Sequence, residues 1–194
     1  MIAFVKGHFA VKTPARLVVD VNGVGYELHI SLNTYAAISG QDSGLLFTYL
    51  HITENAQSLF GFADMAEKEL FMQLISVSGV GASTARMMLS GMKPEEITRA
   101  IIQGNTKQLE AIKGIGKKSA ERLIVELRDK LGKQSLETPV SGFSTPQNDL
   151  DAINALISLG IGRVMAEQAV KKVMLAAPDN QSLEEIIKLS LKNL

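Results

Sequence analysis

No cysteine and no tryptophan occur in the 194 residues, prolines number only 5, and aromatic side chains make up 5% of the chain. The absence of cysteine excludes a disulfide framework and any thiolate metal site. Imidazole is available only from His8, His29 and His51, and each alternates with apolar neighbours in a strand-like run, which disfavours a His-rich metal centre. No stretch approaches the roughly 18 apolar residues of a membrane span, and Met1 leads into alternation rather than into a signal peptide. These features predict a soluble, cytoplasmic protein with no membrane partner. Catalytic signatures are lacking as well: no acidic pair sits beside a His, no Ser/His/Asp order has supporting context, and no metal cluster is visible. Neither a metal nor a cofactor is expected.

What is present begins with apolar residues, 46% of the chain against 21% charged. That is enough for packed cores and excludes a wholly disordered protein. Lys+Arg and Asp+Glu balance at 20 each, but unevenly along the chain. Residues 1–62 carry 3 basic and 4 acidic side chains, residues 63–134 carry 12 and 9, and residues 135–194 carry 5 and 7. Lys107 to Lys133 alone holds 8 basic and 4 acidic. An anionic partner is therefore expected on the middle segment, although such an excess also describes an ordinary solvated surface.

Residues 1–62 favour strands. Phe4, Lys6, His8 and Ala10 alternate with Val5, Gly7, Phe9 and Val11, and the runs Leu17–Val21, Val24–Ile30, Leu45–Ile52 and Gln57–Phe62 are rich in β-branched and aromatic residues. Thr13-Pro14, Asn22-Gly23 and the segment Ser39-Gly40 to Ser43-Gly44 break them. Leu32–Ile38 has the length of one or two helical turns. Five short strands with that insertion suggest a small closed barrel such as an OB-fold, with an unrelated five-stranded sandwich as the alternative.

After Phe62 the apolar period becomes helical. Leu70, Phe71, Leu74, Ile75 and Val77 form one stripe; Ser83–Leu89, Pro94–Gln103 and Thr106–Ile112 follow, with Pro94 in a first turn and Asn105 as an N-cap. The longest helix is predicted from Lys117 to Leu131, burying Ala120, Leu123, Ile124, Leu127 and Leu131 and ending at Gly132. Met87-Met88 read as core, and Glu95-Glu96 and Glu184-Glu185 as helix first turns. Residues 135–148, dominated by Ser, Thr, Pro and Gly, predict a mobile tether. Leu150–Leu159, Arg163–Leu175 and Leu183–Leu191 then form a small three-helix domain, marginal in size. The organisation expected is 1–62 barrel, 63–134 helical, 135–148 linker and 149–194 terminal domain.

One pattern occurs twice, 35 residues apart: Val77-Ser78-Gly79-Val80-Gly81 and Ile112-Lys113-Gly114-Ile115-Gly116. Each lies between two helices, and an Ala follows at the same offset (Ala85, Ala120). This is the helix-hairpin-helix pattern. Two glycines let the backbone turn tightly and approach a ligand closely, the apolar residue between them anchors the hairpin, and the N–H groups opening the next helix offer an anion site. A single Gly-x-Gly also serves as a plain helix terminator; two copies at matched offsets are much harder to explain that way. Neither copy has the spacing of a nucleotide-phosphate loop or the third glycine of a dinucleotide fingerprint. The residues expected at DNA phosphates are Ser78, Gly79, Val80, Gly81, Ser83 and Arg86 in the first copy, and Lys113, Gly114, Ile115, Gly116, Lys117, Lys118 and Arg122 in the second. Contacts to phosphates make such binding independent of sequence.

The order of parts, with Asn22-Gly23-Val24-Gly25-Tyr26-Glu27, Ala56-Gln57-Ser58-Leu59-Phe60-Gly61-Phe62, Ser90-Gly91-Met92 and the segment Gly114 to Glu126, resembles the RuvA family of bacterial Holliday-junction-binding subunits along essentially the whole chain. The resemblance implies an α+β multidomain protein: an OB-fold barrel, a double helix-hairpin-helix domain, a flexible linker and a three-helix end similar to ubiquitin-associated domains. It further implies a homotetramer, or two stacked as an octamer, that holds a four-way junction open. Its partners would be a separate AAA+ ATPase motor, RuvB, and the resolving nuclease RuvC. The family carries an acidic pin between barrel strands four and five; here Glu54 matches its first acid, while Asn55 stands where a second acid is typical. The first hairpin also departs, with Ala82-Ser83-Thr84 where a basic residue is common. Ile153, Leu156, Ile157, Leu159 and Gly160 are the residues expected to face the motor. Two classes of function stay open on the residues alone: a non-catalytic junction scaffold, and a DNA-processing enzyme anchored by its hairpins. The missing metal carboxylates, nucleophile and nucleotide site favour the scaffold.

Overall fold

In the computed structural model, which describes residues 1–136, 147–176 and 182–193, alternation at the N-terminus produces strands β1 (Phe4–Thr13), β2 (Arg16–Val21), β3 (Val24–Ile30), β4 (Ser43–Ile52) and β5 (Gln57–Phe62). They close into a barrel in the order β1-β2-β3-β5-β4. All pairings are antiparallel except β3 with β5, which align in parallel through His29↔Phe60 and Ile30↔Gly61. The barrel reading therefore holds over the sandwich. The β2–β3 turn is Asn22-Gly23, both residues at positive φ (51° and 88°) as a tight two-residue hairpin loop requires. One face of each strand fills the barrel with Val5, Phe9, Leu17, Val19, Leu28, Ile30, Leu46 and Leu59.

Helix α1 (Leu32–Ala37) is the insertion between β3 and β4. The Lys12 ammonium ties the end of this insertion to β1 by donating to the carbonyls of Ser39 (2.9 Å) and Gln41 (2.7 Å). Beyond the barrel come α2 (Met65–Ser76), α3 (Ala82–Gly91), α4 (Pro94–Ile102), α5 (Thr106–Glu110) and α6 (Lys117–Leu136). Their caps follow the sequence: Asp64 accepts the Glu67 N–H, Asn105 accepts the Gln108 N–H, and Pro94 opens α4. Two expectations fail in this region. Gly132 lies inside α6, which continues to Leu136; the glycine keeps a negative φ, and Lys133 and Gln134 are good helix formers. Met87 is exposed, while Met88 is fully buried. Residues 135–136 and 147–148, expected in the tether, are helical, and the rest of that segment lies outside the described residues.

The barrel and these helices pack as one unit, Met1–Thr138. Phe60 and Phe62 of β5 leave the barrel interior and join Leu70, Phe71 and Leu74 of α2 in the helical core. Phe71 sits 5.0 Å, centroid to centroid, from both Phe60 and Phe62. His29 and His51 pack against Phe60 and serve this same aromatic cluster.

A buried polar network lies beside it. Glu67 in the first turn of α2 is 2% exposed. Its carboxylate accepts the hydroxyls of Ser31, the N-cap of α1, and of Thr34 (2.6 Å). Each hydroxyl oxygen in turn accepts a backbone N–H, Thr34 to Ser31 (2.9 Å) and Ala63 to Thr34 (3.1 Å). Hydrogen bonds to a charged group contribute about 1.5–3 kcal/mol, whereas desolvating a carboxylate costs several. Desolvation wins, and with nearby Asp64 it raises the Glu67 pKa above 4.5 against the two hydroxyls and the Ala63 amide.

The second unit, Pro139–Leu194, contains α7 (Gln147–Ser158), α8 (Arg163–Ala176) and α9 (Leu183–Lys192). Ala152, Leu156, Ala166, Val170, Val173 and Ile186 form its core. A capping box opens α9: Ser182 accepts the Glu185 N–H, and the Glu185 carboxylate accepts the Ser182 N–H at 3.1 Å.

The raised pKa of Glu67 has a pH signature. The folded protein holds this proton more readily than the unfolded chain, so the associated stability is complete below the ordinary carboxylate range and is lost as pH rises through the raised value. As pH rises from about 4.5, the melting temperature of the wild type should therefore fall relative to that of Glu67→Gln. Parallel melting curves over that rise would show that Glu67 does not titrate differently in the two states.

Candidate nucleic-acid interface

The two Gly-x-Gly segments form turns with matching backbone geometry. Gly79 and Gly114 adopt φ of 92° and 93°. In the first turn Val80 N–H donates to Val77 C=O (3.0 Å) and Ala85 N–H to Gly81 C=O (2.9 Å). In the second, Ile115 N–H donates to Ile112 C=O (3.1 Å) and Ala120 N–H to Gly116 C=O (2.9 Å). Val77, Val80, Ile112 and Ile115 are buried, and Ala85 and Ala120 are the fully buried small residues of α3 and α6. Ser78, Gly79, Gly81, Ser83, Lys113, Gly114, Gly116, Lys117 and Lys118 are exposed. The apolar pair thus anchors each turn while the glycines face solvent. No side chain caps α3, whose Ncap is Gly81. The first N–H groups of α3 and α6 are therefore presented at the positive ends of their helices, which suits an anion. Val80 and Ile115, named among the expected DNA contacts, can contribute only through their backbone.

The charges differ between the copies. Residues 77–84 carry no charged side chain, whereas the second copy carries Lys113, Lys117, Lys118 and Arg122. Lys117 lies 4.0 Å from Glu121, and Arg122 is held at 2.7 Å by Glu126 along the exposed side of α6. Lys113 and Lys118 form no ion pair among the described residues. Arg86 is turned toward the barrel: its guanidinium donates to the Ala15 carbonyl in the β1–β2 turn at 3.1 Å.

Other bonds fasten the same helix to the barrel. The Asn33 amide donates to the carbonyls of Leu89 (2.6 Å) and Met92 (2.9 Å) at the end of α3, and Leu32 N–H donates to Ser90 Oγ (3.1 Å). Asn33 and Glu67 carry no signal of their own in the sequence. Their partners lie 33 to 59 residues away, and no local periodicity marks them. The Ser90-Gly91-Met92 string was the one visible signal, and its role here is to receive α1.

The loop between β4 and β5 is a tight connection of residues 53–56, closed by Thr53 N–H donating to Ala56 C=O at 2.9 Å. Glu54 and Asn55 project at its tip, both exposed. In the second unit, Leu156 is fully buried among Ala166 and Val170, so it cannot also face a partner. Helical periodicity marks an apolar stripe but does not say which member points inward. Ile153 packs against that core, Ile157 and Leu159 are exposed, and Gly160 closes α7 at φ 91°. Val164 and Met165, in the first turn of α8, are also exposed.

The backbone geometry makes the two glycines of each turn unequal. Gly79→Ala and Gly114→Ala force a side chain into the left-handed region and should each cost about 1–2 kcal/mol of stability. At position 114 the new Cβ would also touch Met87 at 3.5 Å. Gly81 and Gly116 have open surroundings and ordinary φ, so the same change there should leave denaturant midpoints nearly unmoved. Equal effects at all four positions would refute this account of the turns.

Three family models match the chain: "RuvA N terminal domain" over residues 1–61, "SAM-like Helix-hairpin-helix tandem" over 71–129, and "RuvA, C-terminal domain" over 150–194. Among similar proteins, one from Flavobacterium psychrophilum is 45% identical over 194 residues, covering 100% of both chains. One from Bacteroides fragilis is 43% identical over 202 residues with the same coverage, and one from Cytophaga hutchinsonii is 40% identical over 197 residues, covering 99% of each. All three carry the name "Holliday junction branch migration complex subunit RuvA". With a closed barrel, paired hairpins and a separate three-helix unit matched end to end, this chain belongs to the RuvA family.

Proposed function

We propose that this protein is the junction-binding subunit of a branch-migration complex in the bacterial cytoplasm, acting in recombination and DNA repair. It binds four-way DNA by shape, holds it open, and delivers it to an AAA+ ATPase of the RuvB type. The carrying observation is the pair of Gly-x-Gly turns with matching φ and hydrogen bonds, whose exposed glycines and helix-opening amides suit two phosphates per chain. Full-length relatives named as subunits of the Holliday junction branch migration complex support the same reading.

The labour divides along the chain. The barrel (1–62) mediates a homotetramer, alone or stacked as an octamer, and carries Glu54 and Asn55 to its centre. The helical part (63–134) grips phosphates through the hairpins, with Lys113, Lys117 and Lys118 adding attraction. The three-helix unit (149–194) binds the motor through the exposed side chains of Ile157 and Leu159 around the Gly160 turn, on a tether that supplies reach. The resolving nuclease, of the RuvC type, would act on the junction so held. The subunit itself performs no bond-breaking chemistry.

Binding to labelled four-way DNA and to linear duplex across a salt series tests this. Eight hairpins per tetramer engage about 8 phosphates, giving a log–log slope near −7. Lys118→Gln and Gly116→Val should weaken binding without dissociating the oligomer. A slope near zero, or cleavage or ATP turnover by the chain alone, would overturn the proposal.

The loop at Glu54 generates its own expectation. In a fourfold arrangement the centre gathers about four carboxylates, against about eight in a pin with two acids, and carboxylates beside phosphates repel. Glu54→Gln should tighten junction binding at low salt and change little for linear duplex, while Asn55→Asp should loosen it. Equal junction affinities of the three proteins across the salt series would remove any electrostatic role for this loop.

A further inference from the structure

We propose that Arg16, on the barrel, is a phosphate-binding residue of the first hairpin, brought there by the Arg86–Ala15 hydrogen bond. The inference rests on the reading of the hairpins as phosphate sites and extends it to a residue outside both repeats.

The two repeats are chemically asymmetric. A shift of 35 residues carries Lys113 onto Ser78, Lys117 onto Ala82, Lys118 onto Ser83, and Glu121 onto Arg86. The first hairpin thus has the turn of the second without its cations. Its nearest cation, Arg86, stands three residues beyond Ser83, on the same side of α3. Arg86 is half-buried, and its guanidinium donates to the Ala15 carbonyl at 3.1 Å. That carbonyl also accepts the Ile30 N–H at 3.2 Å, so Arg86 grips a point already held by the barrel ladder. The hydrogen bond draws the β1–β2 turn to the first turns of α3.

The residue after Ala15 is Arg16. Its neighbour Leu17 is fully buried in the barrel, so alternation turns Arg16 outward. Among the described residues its ionic partner is Glu27, at 3.5 Å, with the two side chains 51% and 52% exposed. An exposed pair of this kind contributes only about 0–1 kcal/mol. A phosphodiester oxygen, which can accept the guanidinium in bidentate fashion, competes readily with that carboxylate. The barrel thereby returns to the first hairpin a positive charge that the hairpin's own sequence omits.

The test compares full-length wild type with Arg16→Gln, Arg86→Gln, the double variant and Glu27→Gln, using Lys118→Gln as a reference. Affinity for four-way and linear DNA is measured over a salt series. Arg16→Gln should lower affinity several-fold at low salt for both DNAs and make the slope shallower by about 0.9 for each phosphate that Arg16 neutralises. Glu27→Gln, which frees Arg16, should tighten binding. Arg86→Gln should reproduce the effect of Arg16→Gln, and the double variant should bind no more weakly than either. If Arg16→Gln leaves affinity and slope unchanged while Lys118→Gln lowers both, the proposal fails and the hairpin reading stands. If neither changes binding, the hairpin reading itself fails. Additive weakening in the double variant would show Arg86 reading a phosphate of its own and would overturn the positioning role.

Discussion

A buried carboxylate lies at the joint between the barrel and the helices. Glu67 begins α2, Ser31 caps α1, Thr34 lies within α1, and Ala63 links β5 to α2, and all four meet in one closed set of hydrogen bonds. Polar satisfaction is directional in a way that the adjoining aromatic contacts of Phe60, Phe62 and Phe71 are not. The apolar cluster supplies attraction between the two parts; the carboxylate network, with the Asn33 and Arg86 hydrogen bonds, directs the angle between them. The cost is visible in the raised pKa, since two hydroxyls and an amide do not offset the loss of water around the charge. The hairpins and the β4–β5 loop sit on opposite sides of this joint, so their relative placement depends on that angle.

Beyond the joint, the helical part is a repeat with unequal halves. The backbone of the two turns agrees to within 0.1 Å in both hydrogen bonds, 3.0 against 3.1 Å and 2.9 against 2.9 Å. Side chains diverge around that common frame. The second copy surrounds its turn with lysines, whereas the first commits its arginine to the barrel and its helix end to Asn33. One hairpin is thus specialised for charge and the other for attachment. Duplicated backbone geometry allows this, because the turn is set by its glycines and backbone hydrogen bonds whatever side chains surround it.

The second unit meets the demands of small size differently. Among the described residues, α7, α8 and α9 enclose a core cluster of Ala152, Leu156, Ala166, Val170, Val173 and Ile186 and leave Leu150, Leu159, Val164, Met165 and Leu175 exposed. A domain this small lacks enough interior for all its apolar side chains. Leu156 shows how the division falls: it continues the stripe of Ile153 and Ile157, yet it alone of the three is fully buried. Around Gly160, the side chains of Ile157, Leu159, Val164 and Met165 stay exposed.

Much of this was legible in the sequence because it is local. Strand alternation, the Asn22-Gly23 turn, the caps at Asp64 and Asn105, and the twice-written Gly-x-Gly all act over a few residues, and periodicity or turn chemistry reports them directly. Gly132 marks the limit of that logic: it keeps a negative φ, and α6 continues past it. Which face of an apolar stripe points inward, as at Leu156 and Met87, depends on neighbours distant in the chain. The bonds that set the barrel against the hairpins, Glu67 to Ser31 and Thr34, Asn33 to Leu89 and Met92, and Arg86 to Ala15, span 33 to 71 residues. Sequence determined the parts and their chemistry; tertiary structure alone decided their mutual orientation, because a hydrogen bond between remote polar groups leaves no period in the chain that carries them.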